Sequence, residues 1–166
     1  VTEAGVDFAL QTQMIAVEAA DGLVDHVVFA AKSGIFAVKA RIYVDGTGDG
    51  DLCAWAGADV EKGDEDNKMM AGTLCSLWAN IDWSQVKKPD GRRLEDAFRD
   101  KVFTDEDRHL PGMWRVGQTL GGGNIGHTYG VDATDERSLT RSLVWGRKSL
   151  LEYEKYYKEY LDGYED

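Results

Sequence analysis

Arg41-Ile42-Tyr43-Val44-Asp45-Gly46-Thr47-Gly48-Asp49-Gly50-Asp51 is the stretch that decides the fold of this chain. Ala40 to Val44 predicts a short, largely apolar strand. Leu52-Cys53-Ala54-Trp55-Ala56-Gly57-Ala58 predicts two turns of helix stopped by a glycine at Gly57. Asp49 and Asp51 stand where acidic side chains cap free N–H groups and complement the helix dipole. A strand, a glycine turn and a short helix in that order let the backbone pass close to a bulky ligand, with N–H groups aimed at it. The same order also serves as a plain tight turn. The acidic spelling invites a calcium loop, but the twelfth position from Asp45 should be a bidentate Glu and is Ala56. No metal site is expected.

Outward from this turn, the upstream residues read as a β-meander. Phe8 to Val17 and Leu23 to Ala30 predict two strands, and Asp21-Gly22 between them is a hairpin signal because both residues tolerate positive φ. Lys32-Ser33-Gly34 turns into a third, Ile35 to Val38. Downstream, residues 59–68 form a charged loop and Met70 to Ile81 predicts a strand. Lys87-Lys88-Pro89-Asp90-Gly91 reads as a turn, and Leu94, Phe98 and Val102 give an amphipathic helix stopped at Leu110-Pro111-Gly112. Met113 to Leu120 is a further strand, and Gly121-Gly122-Gly123 reads as a flexible break.

The last element is a long helix. Thr134 is its expected N-cap, with Asp135 and Glu136 in the first turn. Leu139, Leu143, Gly146, Leu150, Tyr153, Tyr157 and Leu161 recur at helical spacing, Glu154 and Lys158 form an i, i+4 pair, and Gly163 follows the end. The fold class is therefore α+β: an antiparallel meander, a strand–glycine turn–helix unit, and a mixed region closing in one long helix. Residues 1–58 and 59–166 are the expected domains.

Composition narrows the function. The chain has 166 residues, with 19 Lys+Arg against 30 Asp+Glu and a net charge of −11. That balance argues against nucleic acid and anionic membrane, which need basic patches. No apolar run approaches the ~20 residues of a membrane span. Cys53 and Cys75 lack the companion thiols of a zinc or iron–sulfur site and are expected to be buried and reduced. The chain opens at Val1, already approaching a strand, and reads as a piece of a longer polypeptide whose cytoplasmic or periplasmic origin is not encoded here.

Gly121-Gly122-Gly123-Asn124-Ile125-Gly126 spells a literal G-x-G-x-x-G, but the residues after it are β-type and no helix opens inside it. It is not a dinucleotide fingerprint. His26 reads as an ordinary strand histidine, and His109 sits in a charged loop. His127 differs: it follows the glycines beside Asn124, with room for a substrate and an imidazole suited to proton transfer near neutrality. The same residue would also serve as a loop histidine bonded to backbone. No G-x-S-x-G or H-E-x-x-H occurs, so serine hydrolase and zincin chemistry lack support.

Two stretches together resemble the bacterial FAD-dependent oxidoreductases whose nucleotide-binding part is similar to glutathione reductase. The first is Arg41 to Asp51 with Ala56-Gly57-Ala58, similar to the family's strand, A-T-G-D-G-D turn and A-G-A. The second is Gly130-Val131-Asp132-Ala133-Thr134-Asp135-Glu136-Arg137-Ser138-Leu139-Thr140-Arg141, similar to a V-D-A-T-D-E-R-S-L-T-R segment entering a long helix. The resemblance implies FAD as cofactor, with Gly46, Thr47, Gly48 and Asp49 beside it and the strand around Met14 passing the adenine. Gly46 stands where alanine is usual, which loosens the turn. His127, Asn124 and Arg137 are the candidate catalytic residues.

The implied activity is flavin-mediated hydride or electron transfer on a small molecule, with residues 59–166 facing the substrate. The family's N-terminal G-x-G-x-x-G unit and C-terminal flavin segment are not in this sequence. FAD is held largely through its pyrophosphate at that helix N-terminus. The isolated chain is thus expected to be inactive and to bind FAD weakly or not at all, with flavin and substrate reached through the remainder of the protein. The sequence is also compatible with a homo-oligomer. A competing reading is a non-catalytic ligand-binding or interaction module that docks through the Tyr-rich helix.

Overall fold

Asp21 and Gly22 both adopt left-handed backbone (φ 53° and 74°), and they close the hairpin their sequence predicts. β1 (Gln13–Ala20) and β2 (Leu23–Ala31) pair antiparallel on either side, from Ala20 opposite Leu23 to Gln13 opposite Ala30. β3 (Gly34–Val38) adds to the other edge of β2. Val27 is buried at the sheet centre between Val17 and Val38, and the Phe29 and Phe36 rings stack at 5.8 Å.

This sheet belongs to a computed structural model that describes residues 1–88, 91–108 and 112–165. The chain divides into two units, Val1–Lys62 and Gly63–Asp166. Pro89 and Asp90 of the expected turn, and His109, Leu110 and Pro111, lie outside the described residues.

Two strand expectations in the first unit are corrected. β1 starts at Gln13 rather than Phe8, since Gln11 turns left-handed (φ 53°) just before it. Ala40 to Val44 is not a strand. A ladder needs a partner, and this segment has none among the described residues; Ile42 and Val44 are 80% and 86% exposed. It is tethered instead by Tyr43, whose hydroxyl donates to the Asp25 carbonyl (3.0 Å) and accepts from the Ala40 N–H (2.9 Å). α1 (Asp51–Trp55) follows the glycine turn and packs on β1.

The second unit holds the main core. β4 (Gly72–Thr73) pairs with β8 (His127–Thr128), and β5 (Ser76–Trp78) and β6 (Met113–Arg115) flank β7 (Gly121–Gly123). The triple glycine is thus no flexible break but a buried central strand. A Cβ on Gly121 would sit 2.6 Å from Ile81 Cδ1, and one on Gly122 would sit 2.7 Å from the Trp114 ring. Glycine is there because side chains from both neighbours fold over the backbone. The literal G-x-G-x-x-G leads from β7 into β8 rather than into a helix.

α2 (Gly91–Arg99) and α3 (Glu136–Tyr160) complete the unit. Asp135, not Thr134, is the N-cap of α3: its carboxylate accepts from the N–H groups of Arg137 and Ser138. Thr134 instead donates to Asp132 Oδ1 through its hydroxyl (2.7 Å) and N–H (3.0 Å). Three of the four tyrosines of α3 are core residues rather than a docking surface, and Tyr160 is half-buried. Tyr153, Tyr156 and Tyr157 are 3%, 1% and 5% exposed, packed with Ile81, Phe98, Phe103, Ile125 and Tyr164. Gly163 is left-handed (φ 89°), and its carbonyl accepts from the Asp82 N–H (2.9 Å), which pins the helix exit.

Candidate functional site

Asp45 organises the glycine turn. Its Oδ1 accepts from the Thr47 N–H (2.9 Å) and hydroxyl (2.8 Å), and its Oδ2 accepts from the Cys53 N–H (3.0 Å). The Thr47 hydroxyl in turn accepts from the Asp51 N–H (2.9 Å). These bonds, led by the one from the Thr47 N–H, lower the Asp45 pKa to about 2. Its carboxylate is in turn the main reason that the Cys53 thiol lies above its ordinary range.

The capping of α1 is therefore done by Asp45 and Thr47 rather than by Asp49 and Asp51; the N-cap residue is Gly50 in left-handed backbone (φ 72°). Sequence spacing pointed to the acids adjacent to the helix. The fold uses one six residues earlier, because the turn doubles back over the helix start.

The glycines of the turn face open space. A Cβ on Gly46, Gly48 or Gly50 would meet nothing within 4 Å. Gly46, Gly48 and Asp49 are exposed, and Thr47 directs its hydroxyl back to Asp45. The turn thus fits the group expected there: its backbone is held from one side and uncovered on the other. Met14, half-buried opposite Phe29 on β1, lies in the same unit.

His127 presents a second constellation. Its Nδ1 lies 2.7 Å from Oδ2 of Asp107, whose side chain is 4% exposed, and its N–H donates to the same oxygen (3.3 Å). The Tyr129 hydroxyl donates to the other oxygen, Oδ1 (3.2 Å). Desolvation, then the Asp107 charge, push the Tyr129 phenol above its ordinary pKa. A buried carboxylate on one ring nitrogen sets the orientation of an imidazole, an arrangement compatible with proton transfer.

Asn124 and Arg137 are not joined to this pair. Asn124 Oδ1 faces the Cys75 thiol at 3.8 Å, while the 85% exposed Arg137 lies 4.0 Å from Glu136. Asp107 went unnoticed in sequence because Asp105-Glu106-Asp107-Arg108 has the look of a solvated charge run. Both cysteines are free and exposed, against expectation: Cys53 lies on the outer side of the short α1, and Cys75 turns left-handed (φ 52°) between β4 and β5. No group of residues suited to a metal occurs among the described residues, and none of their helices is long and apolar enough to cross a membrane.

Beside the His127 pair, a cleft of about 260 Å³ opens between β8 and the first turns of α3. Gly72 on β4, across from Thr128, is tightly packed: a Cβ there would approach Val131 Cγ1 at 3.0 Å and Thr128 Oγ1 at 3.1 Å.

Searches of curated proteins and of solved structures found no significant match. The family described as FAD dependent oxidoreductase matches the chain over residues 1–166. With the motif at the open turn and the segment entering α3 both inside that match, the chain belongs to the FAD-dependent oxidoreductase family, flavoproteins with a flavin-linked redox function.

Proposed function

We propose that this chain serves flavin-mediated hydride or electron transfer on a small molecule, in an oxidoreductase with a glutathione-reductase-like nucleotide-binding part. FAD, when bound, supplies the electron chemistry. Residues 1–58 contribute the flavin side. Gly46, Gly48 and Asp49 present backbone to the dinucleotide, Thr47 holds that backbone in shape, and Met14 lies along the adenine path. Residues 59–166 contribute the substrate side. There His127 moves a proton to or from the substrate while Asp107 holds its ring, and Asn124 and Arg137 are the further candidate catalytic residues, outside that pair.

The observation that carries this reading is the uncovered glycine face of a turn whose other side is tied down by Asp45. Gly48 and Gly50 are at positive φ (95° and 72°), which the turn itself demands of glycine, whereas Gly46 is not, and the space in front of all three leaves the backbone open to a ligand. The test is an FAD titration, followed by flavin fluorescence, of this chain within its native polypeptide. Thr47→Trp, which crowds the turn, should weaken binding at least ~10-fold, about 1.4 kcal/mol. Leu23→Trp, at the exposed hairpin, should leave it unchanged. Full affinity in Thr47→Trp would overturn the placement.

A further inference from the structure

The cleft between β8 and α3 carries a charge that the His127 pair does not use. Among its lining residues, Arg141 is the one base and Asp105 the one acid. The Arg141 side chain, one turn beyond the buried Ser138, has no ion-pair partner among the described residues. A guanidinium offers a planar fork of donors matched to a carboxylate.

Two further features point the same way. Thr128 Oγ1 and Ser142 Oγ lie 2.7 Å apart on the cleft wall, so one hydroxyl donates to the other and the acceptor keeps its own hydrogen for another partner. Trp145 and Tyr129 line the remainder and provide aromatic surface. Tyr129 also donates to Asp107, the carboxylate that holds His127, so cleft and histidine share one hydrogen-bonded group.

We propose that this cleft binds the carboxylate of a small aromatic substrate, with Arg141 pairing to it and Asp105 selecting against a second negative charge. The volume, about 260 Å³, lies just below the usual range for drug-sized ligands and suits a single-ring acid. The inference rests on the substrate-side reading of residues 59–166.

The test uses the isotope-labelled 166-residue chain, titrated by NMR with phenylacetate, 2-phenylethanol and phenylmalonate. Phenylacetate should shift Thr128, Tyr129, Arg141 and Ser142, and bind at least ~10-fold tighter than the alcohol or the dianion. Arg141→Gln should erase the preference over the alcohol. Asp105→Asn should remove the penalty on phenylmalonate and leave phenylacetate unchanged. Equal affinities, shifts centred elsewhere, or an Arg141→Gln chain that keeps the preference would overturn the proposal. Should Arg141→Gln lose its helical circular dichroism, Arg141→Lys decides, with several-fold weaker phenylacetate binding expected and unchanged binding refuting. The measurement contains no flavin, so its failure removes the carboxylate site and leaves the flavin reading to its own test.

Discussion

His127 Nδ1 and Asp107 Oδ2 are 2.7 Å apart, and the aspartate is almost fully covered. A buried carboxylate is held in place by its donors, here the His127 ring, the His127 N–H and the Tyr129 hydroxyl. Asp107→Ala leaves those donors without this acceptor, and we expect a loss of about 1–3 kcal/mol in urea unfolding. Asp107→Asn keeps an oxygen for the His127 ring and backbone N–H and turns its amide toward the Tyr129 hydroxyl, so it should recover most of that loss. An Asp107→Asn chain no more stable than Asp107→Ala would show that these bonds are not what holds the aspartate in place.

The turn at Asp45 has a defined pH response. Its folded pKa lies below the ordinary 3.8, so its contribution is fully present above about 4 and fades as pH falls toward about 2. Followed by NMR, the Asp45 carboxyl should titrate with a midpoint near 2, and amide protection at Asp51 and Cys53 should fall with it. A midpoint at 3.8 or above would mean the three hydrogen bonds are not formed in solution.

Thr47→Val keeps the volume of that side chain and removes both bonds of its hydroxyl. Loss of a side-chain cap of this kind costs about 1 kcal/mol. The effect should be local: exchange of the Asp51 amide speeds up several-fold, while the amides of β2 keep their protection. Slowed or unaltered exchange at Asp51 would argue against the cap.

Glycine substitutions should divide sharply. Gly122→Ala drives a methyl into the Trp114 ring and should cost about 1–3 kcal/mol in thermal or urea unfolding. Gly46→Ala meets open space and should stay within about 0.5 kcal/mol of the parent. A destabilised Gly46→Ala would contradict the open face of the turn.

What could be read from the residues depended on how local the cause was. The Asp21-Gly22 hairpin was legible because its backbone demand is met by those two residues alone. α3 was legible because a helical period over 25 residues is hard to imitate. β7 was not, since glycine signals both a loose loop and a close packing contact, and the side chains that distinguish them, among them Met113, Ile81 and Trp114, come from elsewhere in the chain. The partnership of Asp107 with His127 links a loop to the first residue of β8, 20 positions on, and nothing in the acidic run announces it. The Ala40–Val44 segment had strand composition but lacked the neighbour that makes a strand.

Asp45 has one further consequence. By satisfying three donors from a single side chain, it holds the loop in shape through the chain's own bonds. A visitor to that face meets a surface already set, and little ordering entropy opposes its arrival. Association should then follow the encounter rate, rising linearly with ligand concentration in stopped-flow traces, instead of levelling off at the pace of a loop that must first rearrange.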